Sequence, residues 1–220
     1  KEVHHRVKNN LQLIASIISM QGRVIEDDDA KRVLRSVQDR VASLASIYKN
    51  LYQAEHLESV DADRLISEII NQMTRASSSP GQRLHVETEL VPLVLQPDQA
   101  VPLTLLTNEA FTNALKYAGV PPGHDRAWVR VSLTMVDDDR AKLEVTNSIG
   151  EQEQAMEGTG LGSQLIEAFA MQLEGEAKIT TTDTEYTLSL VFRIEEIQPL
   201  PVEDRTFVVL TSAARDGARH

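Results

Sequence analysis

Apolar residues at helical spacing dominate the first quarter of the chain. In one segment they recur at steps of three and four, at Val3, Val7, Leu11, Ile14 and Ile18. In the next segment the same steps continue, at Leu34, Val37, Val41, Leu44, Tyr48 and Leu51. Such steps place apolar side chains on one face of a helix. We therefore predict one helix from about residue 2 to 24 and a second from about residue 30 to 54.

The two predicted helices form an antiparallel hairpin, because only the short acidic loop 26–29 separates them. Carboxylates in that loop favour the N-terminus of the second helix. A lone hairpin buries little apolar surface, so we expect a homodimer through a four-helix bundle. Ile17, Ile18 and Met20 add more apolar surface than one partner helix covers. The alternative is a monomer whose hairpin packs on the C-terminal part of the chain.

Strand and helix patterns alternate over the rest of the chain. Period-two alternation predicts strands at about 84–90, 94–96, 128–136, 142–147, 177–181 and 186–194. Helical spacing predicts helices over about 61–73, 97–118 and 163–173. Proline is best tolerated near a helix start, so Pro102 favours a later beginning for the middle helix. Helices gathered on one face of a largely antiparallel sheet give an α+β sandwich.

These patterns divide the chain into three predicted parts. They are a helical hairpin at 1–57, an α+β domain at 58–196 and a C-terminal extension or linker at 197–220. No apolar run approaches the roughly 20 residues that cross a bilayer. The chain begins inside a helical motif, so we expect it to be a fragment. Membrane association is then expected only through a segment upstream of it.

The composition narrows the possible classes of function. Hydrophobic residues make up 41% of the chain and charged residues 25%, which is typical of a globular protein. The net charge of −11 repels phosphate backbones, so no nucleic-acid partner is expected. The absence of cysteine excludes disulfides, thiol catalysis and thiolate metal sites, and fits a cytoplasmic location.

Candidate chemistry begins at His4 and His5, beside the apolar stripe of the first helix. His5 and Asn9 are four residues apart, so they share a helix face and can act on one bound group. A histidine at a helix edge is most often a solvated side chain, although imidazole is nucleophilic near neutral pH. The run His-His-Arg-Val-Lys-Asn-Asn-Leu-Gln at 4–12 resembles the phosphoacceptor box of HisKA_2/HWE sensor histidine kinases. By this resemblance His5 accepts phosphate, with His4 as the second candidate.

A second set of polar residues lies on the predicted helix that ends near residue 118. Glu109, Asn113 and Lys116 are four and three residues apart, so they line one face of that helix. Carboxylate and amide oxygens suit Mg²⁺, and an ammonium group suits phosphate. Taken alone, the pattern fits an ordinary solvated face with an i,i+4 hydrogen bond better than a ligand site.

Glycines at Gly158, Gly160 and Gly162 precede the last predicted helix. Glycine lets the backbone approach phosphate, and a helix N-terminus offers free N–H groups, although such a run is often only a flexible loop. Residues 108–118 read Asn-Glu-Ala-Phe-Thr-Asn-Ala-Leu-Lys-Tyr-Ala. The two segments together resemble the N box and second glycine box of the ATP-binding domain in the histidine kinase, gyrase and Hsp90 superfamily. The resemblance covers residues 1 to about 194.

This second resemblance implies ATP and Mg²⁺ as ligands. It implies that Glu109 assists proton transfer or water placement, that Asn113 binds Mg²⁺ and that Lys116 contacts phosphate. The glycine box at 158–162 would close over the triphosphate.

One departure from the superfamily pattern falls at Asn147, where an Asp that binds the adenine amino group is expected. The glycine pattern that should follow is also degenerate, because residues 148–151 read Ser-Ile-Gly-Glu. A neutral amide oxygen accepts a hydrogen bond more weakly than a carboxylate. The loss of about 1 kcal/mol or more would lower nucleotide affinity several-fold to about tenfold or beyond.

Three functional hypotheses follow. The resemblance implies a two-component histidine kinase core that autophosphorylates His5 from ATP and passes the phosphoryl group to a response-regulator aspartate. With a degenerate adenine pocket, the alternative is a histidine phosphotransferase or a response-regulator phosphatase, in which Asn9 orients a water against the receiver's aspartyl phosphate. A non-enzymatic scaffold is the third, and the intact Glu109, Asn113 and glycine box argue against it.

Overall fold

The computed structural model describes residues 13–20, individual positions between 22 and 45, and the stretches 59–77, 84–150 and 161–195. The first turns of the predicted hairpin, its C-terminal end and the predicted extension at 197–220 lie outside these residues. The boundary predicted near residue 58 therefore stays a prediction.

Both arms of the predicted hairpin are helical where the structure describes them. Residues 13–20 form helix, and so do the described positions from Asp28 to Ala45. The carboxylate Oδ1 of Asp27 accepts a hydrogen bond from the backbone N–H of Ala30 at 2.8 Å. The carbonyl oxygen of Asp27 accepts another from the N–H of Lys31 at 3.0 Å. Asp27 thus caps the second helix, as expected of a carboxylate in the acidic loop.

The two arms approach each other closely beside that loop. A Cβ added to Gly22 would lie 3.3 Å from Cδ2 of Leu34, so glycine lets the helices come together here. On the first arm, Leu13, Ile14, Ile17 and Met20 are 44% to 59% exposed. This apolar surface is open to solvent in the single chain, and the homodimer stays a prediction.

The rest of the described chain alternates between strands and helices. In order, the elements are β1 (Val60–Asp61), α1 (Ala62–Ser77), β2 (Leu84–Leu90), β3 (Val94–Leu95), α2 (Pro97–Tyr117), β4 (Ala127–Met135), β5 (Arg140–Ser148), α3 (Leu161–Gln172), β6 (Glu176–Thr181) and β7 (Glu185–Arg193). None of the helices that the structure describes is long and apolar enough to cross a membrane.

Five of these strands form one sheet in the order β2-β4-β5-β7-β6. β2 and β4 run parallel, and the other three pairs are antiparallel. The predicted α+β class with a largely antiparallel sheet is thus confirmed. β1 and β3 pair separately as a two-residue ribbon, with Val60 opposite Leu95. The sequence pattern did not predict β1, because two residues are too few to show a period.

One face of the sheet packs against all three helices in a single hydrophobic core. Alternate residues of neighbouring strands meet in rows on that face, as where Val131 lies opposite Val145 and Val145 lies opposite Leu188. All three side chains are at most 4% exposed. The alternation predicted from the sequence therefore separates a core face from an outer face.

The outer face of the sheet carries polar side chains at the β2–β4 pair. Glu87 accepts hydrogen bonds from Nε2 of His85 at 3.0 Å and from Nε of Arg130 at 3.2 Å. These partners, His85 first, hold the pKa of the Glu87 carboxyl below its ordinary value. Because all three groups are about half exposed, the ion pairs add little to stability.

Helix α2 is the centre of the core. It begins at Pro97, so the expectation of a later start at Pro102 is wrong. Pro97 occupies the first turn, where its fixed backbone suits a helix start, and Pro102 lies inside the helix and is buried. An interior proline costs a helix about 3 kcal/mol, and the burial of most side chains around Pro102 outweighs that cost.

Gln99 anchors the start of α2 to the end of the sheet. Its side chain is 3% exposed. Nε2 donates to the carbonyl oxygen of Arg193 at 2.7 Å, and Oε1 accepts from the N–H of Glu195 at 3.0 Å. Both ends of the buried amide are therefore bonded to the chain just after β7.

The end of α3 turns into β6 through a backbone motif that usually contains glycine at its left-handed position. Gly175 donates its N–H to the carbonyl oxygen of Ala170 at 2.9 Å, and Glu174 donates to Met171 at 3.1 Å. This is the Schellman pattern. Glu174 takes the left-handed position with φ of 49°, where a Cβ is unfavourable. A Cβ on Gly175 would lie 2.8 Å from the carbonyl oxygen of Val191.

These two neighbours should respond oppositely to substitution. Gly175→Ala forces backbone apart between α3 and β7, so we expect it to lower the free energy of unfolding by about 1–3 kcal/mol. Glu174→Gly removes the strained Cβ and should raise it by about 0.5–1 kcal/mol. Urea unfolding followed by circular dichroism measures both. Equal stability of Gly175→Ala and wild type would contradict the close contact at Val191.

Candidate functional site

The exposure of the side chains on the predicted polar face of α2 increases towards the C-terminal end of the helix. Glu109 is 5% exposed, Asn113 is half-buried, and Lys116 is exposed at the last turn. Nζ of Lys116 lies 4.7 Å from the centroid of the Tyr117 ring, which is within cation–π range. The three side chains share a helix face, as predicted, but only Asn113 and Lys116 present polar groups towards solvent.

A set of hydrogen bonds joins the end of α2 to the end of β5. The hydroxyl of Ser148 donates to the carbonyl oxygen of Gly119 at 2.7 Å and accepts from the N–H of Trp128 at 2.8 Å. Gly119 in turn donates its N–H to the carbonyl oxygen of Ser148 at 3.0 Å. Ser148 is fully buried. This junction brings Asn113 and Lys116, in the last turns of α2, to the same end of the domain as Asn147.

Asn147 lies on the core face of β5, one residue before the junction. It pairs with Val129 on β4 and with Tyr186 on β7, and its side chain is 2% exposed. The side-chain nitrogen Nδ2 donates to the carbonyl oxygen of Ser148 at 3.1 Å. A carbonyl oxygen can only accept, so this contact fixes the orientation of the amide. No described residue donates a hydrogen bond to Oδ1 of Asn147.

The neighbours of Asn147 on the adjacent strands carry no charge at neutral pH. Val129 is apolar and fully buried. Tyr186 is half-buried, and burial raises the pKa of its phenol above the ordinary value. The strands on both sides therefore give Asn147 a neutral setting.

Gly150 has a packing role in the degenerate first glycine box. A Cβ at this position would lie 3.2 Å from the carbonyl oxygen of Val120 and 3.3 Å from its nitrogen. The loop after α2 therefore passes close to residue 150, and a larger residue there would require the loop backbone to shift by a few tenths of an ångström. Backbone contact explains this glycine without reference to a ligand.

Several predicted site residues lie outside the described residues. They are the two candidate acceptors, His4 and His5, together with Asn9, Gly158 and Gly160. Gly162 is described, and it lies in the first turn of α3, because that helix begins at Leu161 and not near residue 163. The N–H groups of a first helical turn lack acceptors within the helix.

The described residues fit a magnesium nucleotide at its two ends. Oδ1 of Asn147 is an acceptor for a base amino group, and Asn113 offers an amide oxygen to a hard cation. The described part of the chain contains no group of three or more His, Asp or Glu residues that could hold a metal ion. Most ligands of a bound Mg²⁺ would therefore be phosphate oxygens and water, which is common for this ion.

The sequence pattern does not single out Ser148 or Tyr186. Ser148 bonds to Gly119, 29 residues away, and Tyr186 lies beside Asn147 only because β5 and β7 pair. Neither contact leaves a local signal, since the pattern of apolar residues is unchanged by the partner that a polar residue finds.

Removal of the Ser148 hydroxyl should loosen the junction between α2 and β5. Ser148→Ala leaves the Gly119 carbonyl and the Trp128 N–H without this partner, and we expect a loss of about 1–3 kcal/mol in unfolding free energy. Ser189→Ala, on the outer face of β7, is the matched control and should change it by less than about 0.5 kcal/mol. Urea unfolding compares them. Equal effects of the two substitutions would show that the junction contributes nothing specific.

Comparison with known proteins finds similarity to histidine kinases. Residues 2–77 match the HisKA_2 family, described as histidine kinase. The sensor histidine kinase PdtaS of Mycolicibacterium smegmatis is 32% identical over 119 residues, which cover 54% of this chain and 23% of that protein. PdtaS of Mycobacterium tuberculosis is 31% identical over 122 residues, covering 55% and 24%. The matched region thus spans about a quarter of the length of these relatives.

Solved structures show the same architecture. The histidine kinase domain of the Erythrobacter litoralis blue-light activated histidine kinase EL346 superposes with a TM-score of 0.58 at 14% identity, over 82% of this chain and 95% of that one. A longer structure of the same kinase gives a TM-score of 0.61 at 20% identity, over 88% and 58%. At these identities the likeness is one of fold. Residues 2–77 are thus similar to the HisKA_2 family of histidine kinases, and the matched part of the chain is similar to sensor histidine kinases.

Proposed function

We propose that this chain is the catalytic core of a two-component histidine kinase. In this proposal ATP phosphorylates His5, and a response-regulator aspartate then takes the phosphoryl group. The observation that carries the proposal is the junction at Ser148, which holds the N-box helix α2 beside Asn147 in a chain whose residues 2–77 match a histidine kinase family.

The base end of the nucleotide site centres on Asn147. Its Nδ2 is held by the Ser148 carbonyl, so Oδ1 is the acceptor that would take the adenine amino group. The amide is neutral, and hydrogen bonds to neutral acceptors are about half as strong as those to carboxylates. We therefore expect ATP to bind, but more weakly than in a site with an aspartate.

The phosphate end is assigned to α2 and to the glycine box. Asn113 would hold Mg²⁺ through its amide oxygen, Lys116 would neutralise phosphate charge, and the box at 158–162 would cover the triphosphate. Bound Mg²⁺ supplies charge neutralisation on the phosphate oxygens. The burial of Glu109 fits a group that places a proton or a water from within the site better than one that binds a hydrated cation.

The acceptor end would lie on the first helix of the predicted hairpin. One imidazole nitrogen of His5 would attack the γ-phosphorus in line, forming an N–P bond as the bond to the leaving oxygen of ADP breaks. The receiver's carboxylate then attacks the same phosphorus, and the imidazole leaves. The exposed apolar face at Leu13, Ile14, Ile17 and Met20 supports a homodimer of hairpins.

Phosphorylation by γ-labelled ATP and Mg²⁺ tests the proposal directly. We expect acid-labile, alkali-stable label on the wild type. His5→Gln should abolish it, because glutamine cannot accept the phosphoryl group, and Asn113→Ala should lower it by at least about tenfold through loss of the cation ligand. His4→Gln is the matched control and should keep its label. Full labelling of His5→Gln, with loss in His4→Gln, would assign the acceptor to His4.

A second function is favoured by one observation, the neutral residue at the adenine position. If folded protein takes no label at high ATP, the same residues serve a histidine phosphotransferase or a response-regulator phosphatase. Asn9 would then hold a water against the aspartyl phosphate of a receiver.

The phosphatase hypothesis has its own test, with a phosphorylated receiver domain and no nucleotide. Asn9→Ala should slow release of phosphate by about 10²-fold, because a water-positioning contact contributes on this scale. Asn10→Ala, its neighbour on another face of the predicted first helix, is the matched control and should leave the rate unchanged. Equal rates for all three proteins would remove the assignment of Asn9.

A further inference from the structure

The side-chain amide of Asn147, at the position proposed to bind the nucleotide base, differs from a carboxylate in the types of hydrogen bond it can form as well as in their strength. A carboxylate can only accept hydrogen bonds and carries a full negative charge. The amide of Asn147 offers an acceptor, Oδ1, and two N–H groups on Nδ2. One N–H is directed at the Ser148 carbonyl oxygen at 3.1 Å, so one N–H and the acceptor are left for a ligand.

The Asn147 amide cannot simply rotate to exchange its two ends. The Ser148 carbonyl oxygen also accepts from the N–H of Gly119 at 3.0 Å, so it is held in place from the α2 side. Rotation would put Oδ1 against that carbonyl oxygen, where two acceptors repel each other. Asn147 is also 2% exposed, so the side chain has little room to leave its position. The site therefore presents a fixed, uncharged donor and acceptor.

Purine bases differ at the positions that such a group would contact. Adenine presents an amino donor at position 6, whereas guanine and hypoxanthine present a carbonyl acceptor there and an N–H donor at position 1. A carboxylate accepts a hydrogen bond from the adenine amino group and repels a carbonyl oxygen at position 6. A carboxylate therefore selects against guanine and hypoxanthine. The neutral amide of Asn147 lacks that charge and keeps one free N–H, which can donate to a carbonyl oxygen at position 6 while Oδ1 accepts from the N–H at position 1. With adenine, Oδ1 accepts from the amino group at position 6.

Resting on the proposed nucleotide site, we infer that Asn147 relaxes the choice of base, so that the site takes guanine and hypoxanthine nucleoside triphosphates as well as ATP. The neutral setting of Asn147 supports this, since its neighbours on the adjacent strands are Val129 and Tyr186. The group that determines specificity is the side-chain amide of Asn147. The carbonyl oxygen of Ser148 fixes the orientation of that amide.

Isothermal titration of the full chain with Mg-ATP, Mg-GTP and Mg-ITP measures the choice of base without any turnover. We expect the three dissociation constants of the wild type to lie within about tenfold of one another. Asn147→Asp should widen the ratio of GTP to ATP dissociation constants by about tenfold or more, because it restores a charge that rejects the carbonyl at position 6. Asn71→Asp, the same change at an exposed position on α1, should leave the ratio unchanged.

The outcomes of the titration test the kinase proposal and the relaxed choice of base separately. ATP binding with GTP and ITP weaker by more than about 100-fold in the wild type overturns the relaxed choice and leaves the kinase proposal intact. Comparable binding that Asn147→Asp does not alter removes Asn147 as the determinant. Absence of all binding to protein that is folded by circular dichroism overturns both. If Asn147→Asp fails to fold, the wild-type ratio alone decides.

Discussion

The burial of α2 on nearly every side is the constraint on which the rest of the domain depends. Its side chains pack on the sheet, on α1 and on α3 at once. Its two ends are also fixed by hydrogen bonds, through Gln99 to the end of β7 and through the Gly119 loop to Ser148. A helix held in this way cannot slide, and Asn113 and Lys116 near its end keep one position relative to Asn147.

The sequence predicted the class of the fold and most of its elements because their signal is local. Alternation along β4, β5 and β7 reports which face is buried, and that face is the one covered by helices. At the start of α2 two signals were opposed, and the predicted beginning at residue 97 is confirmed. Pro102 argues for a later start by its own chemistry, and the core overrides that preference because the chain around it is buried. β1 is found only through its pairing with β3.

In the candidate site, too, local features could be predicted from the sequence and features that depend on tertiary contacts could not. Motif resemblance identified Glu109, Asn113, Lys116 and Asn147, since their residue types and spacing are visible in the chain. It could not show that Glu109 is buried while Lys116 is exposed, because burial depends on α1, α3 and the sheet. Nor could it show the bond from Asn147 to the Ser148 carbonyl, which depends on the backbone path at the end of β5.

That bond also suits an asparagine at the position where the resemblance to the ATP-binding superfamily predicts an aspartate. A carboxylate at a position that is 2% exposed loses most of its hydration, which is costly unless charged or polar partners replace the water. Here the partner is a carbonyl oxygen, which would repel a carboxylate and accepts readily from an amide. We therefore expect the unliganded domain to be more stable with asparagine than with aspartate at position 147. A ligand at the proposed site would meet the amide oxygen of Asn147, which is a weaker acceptor than a carboxylate. The residue type at position 147 therefore affects domain stability and ligand affinity in opposite directions.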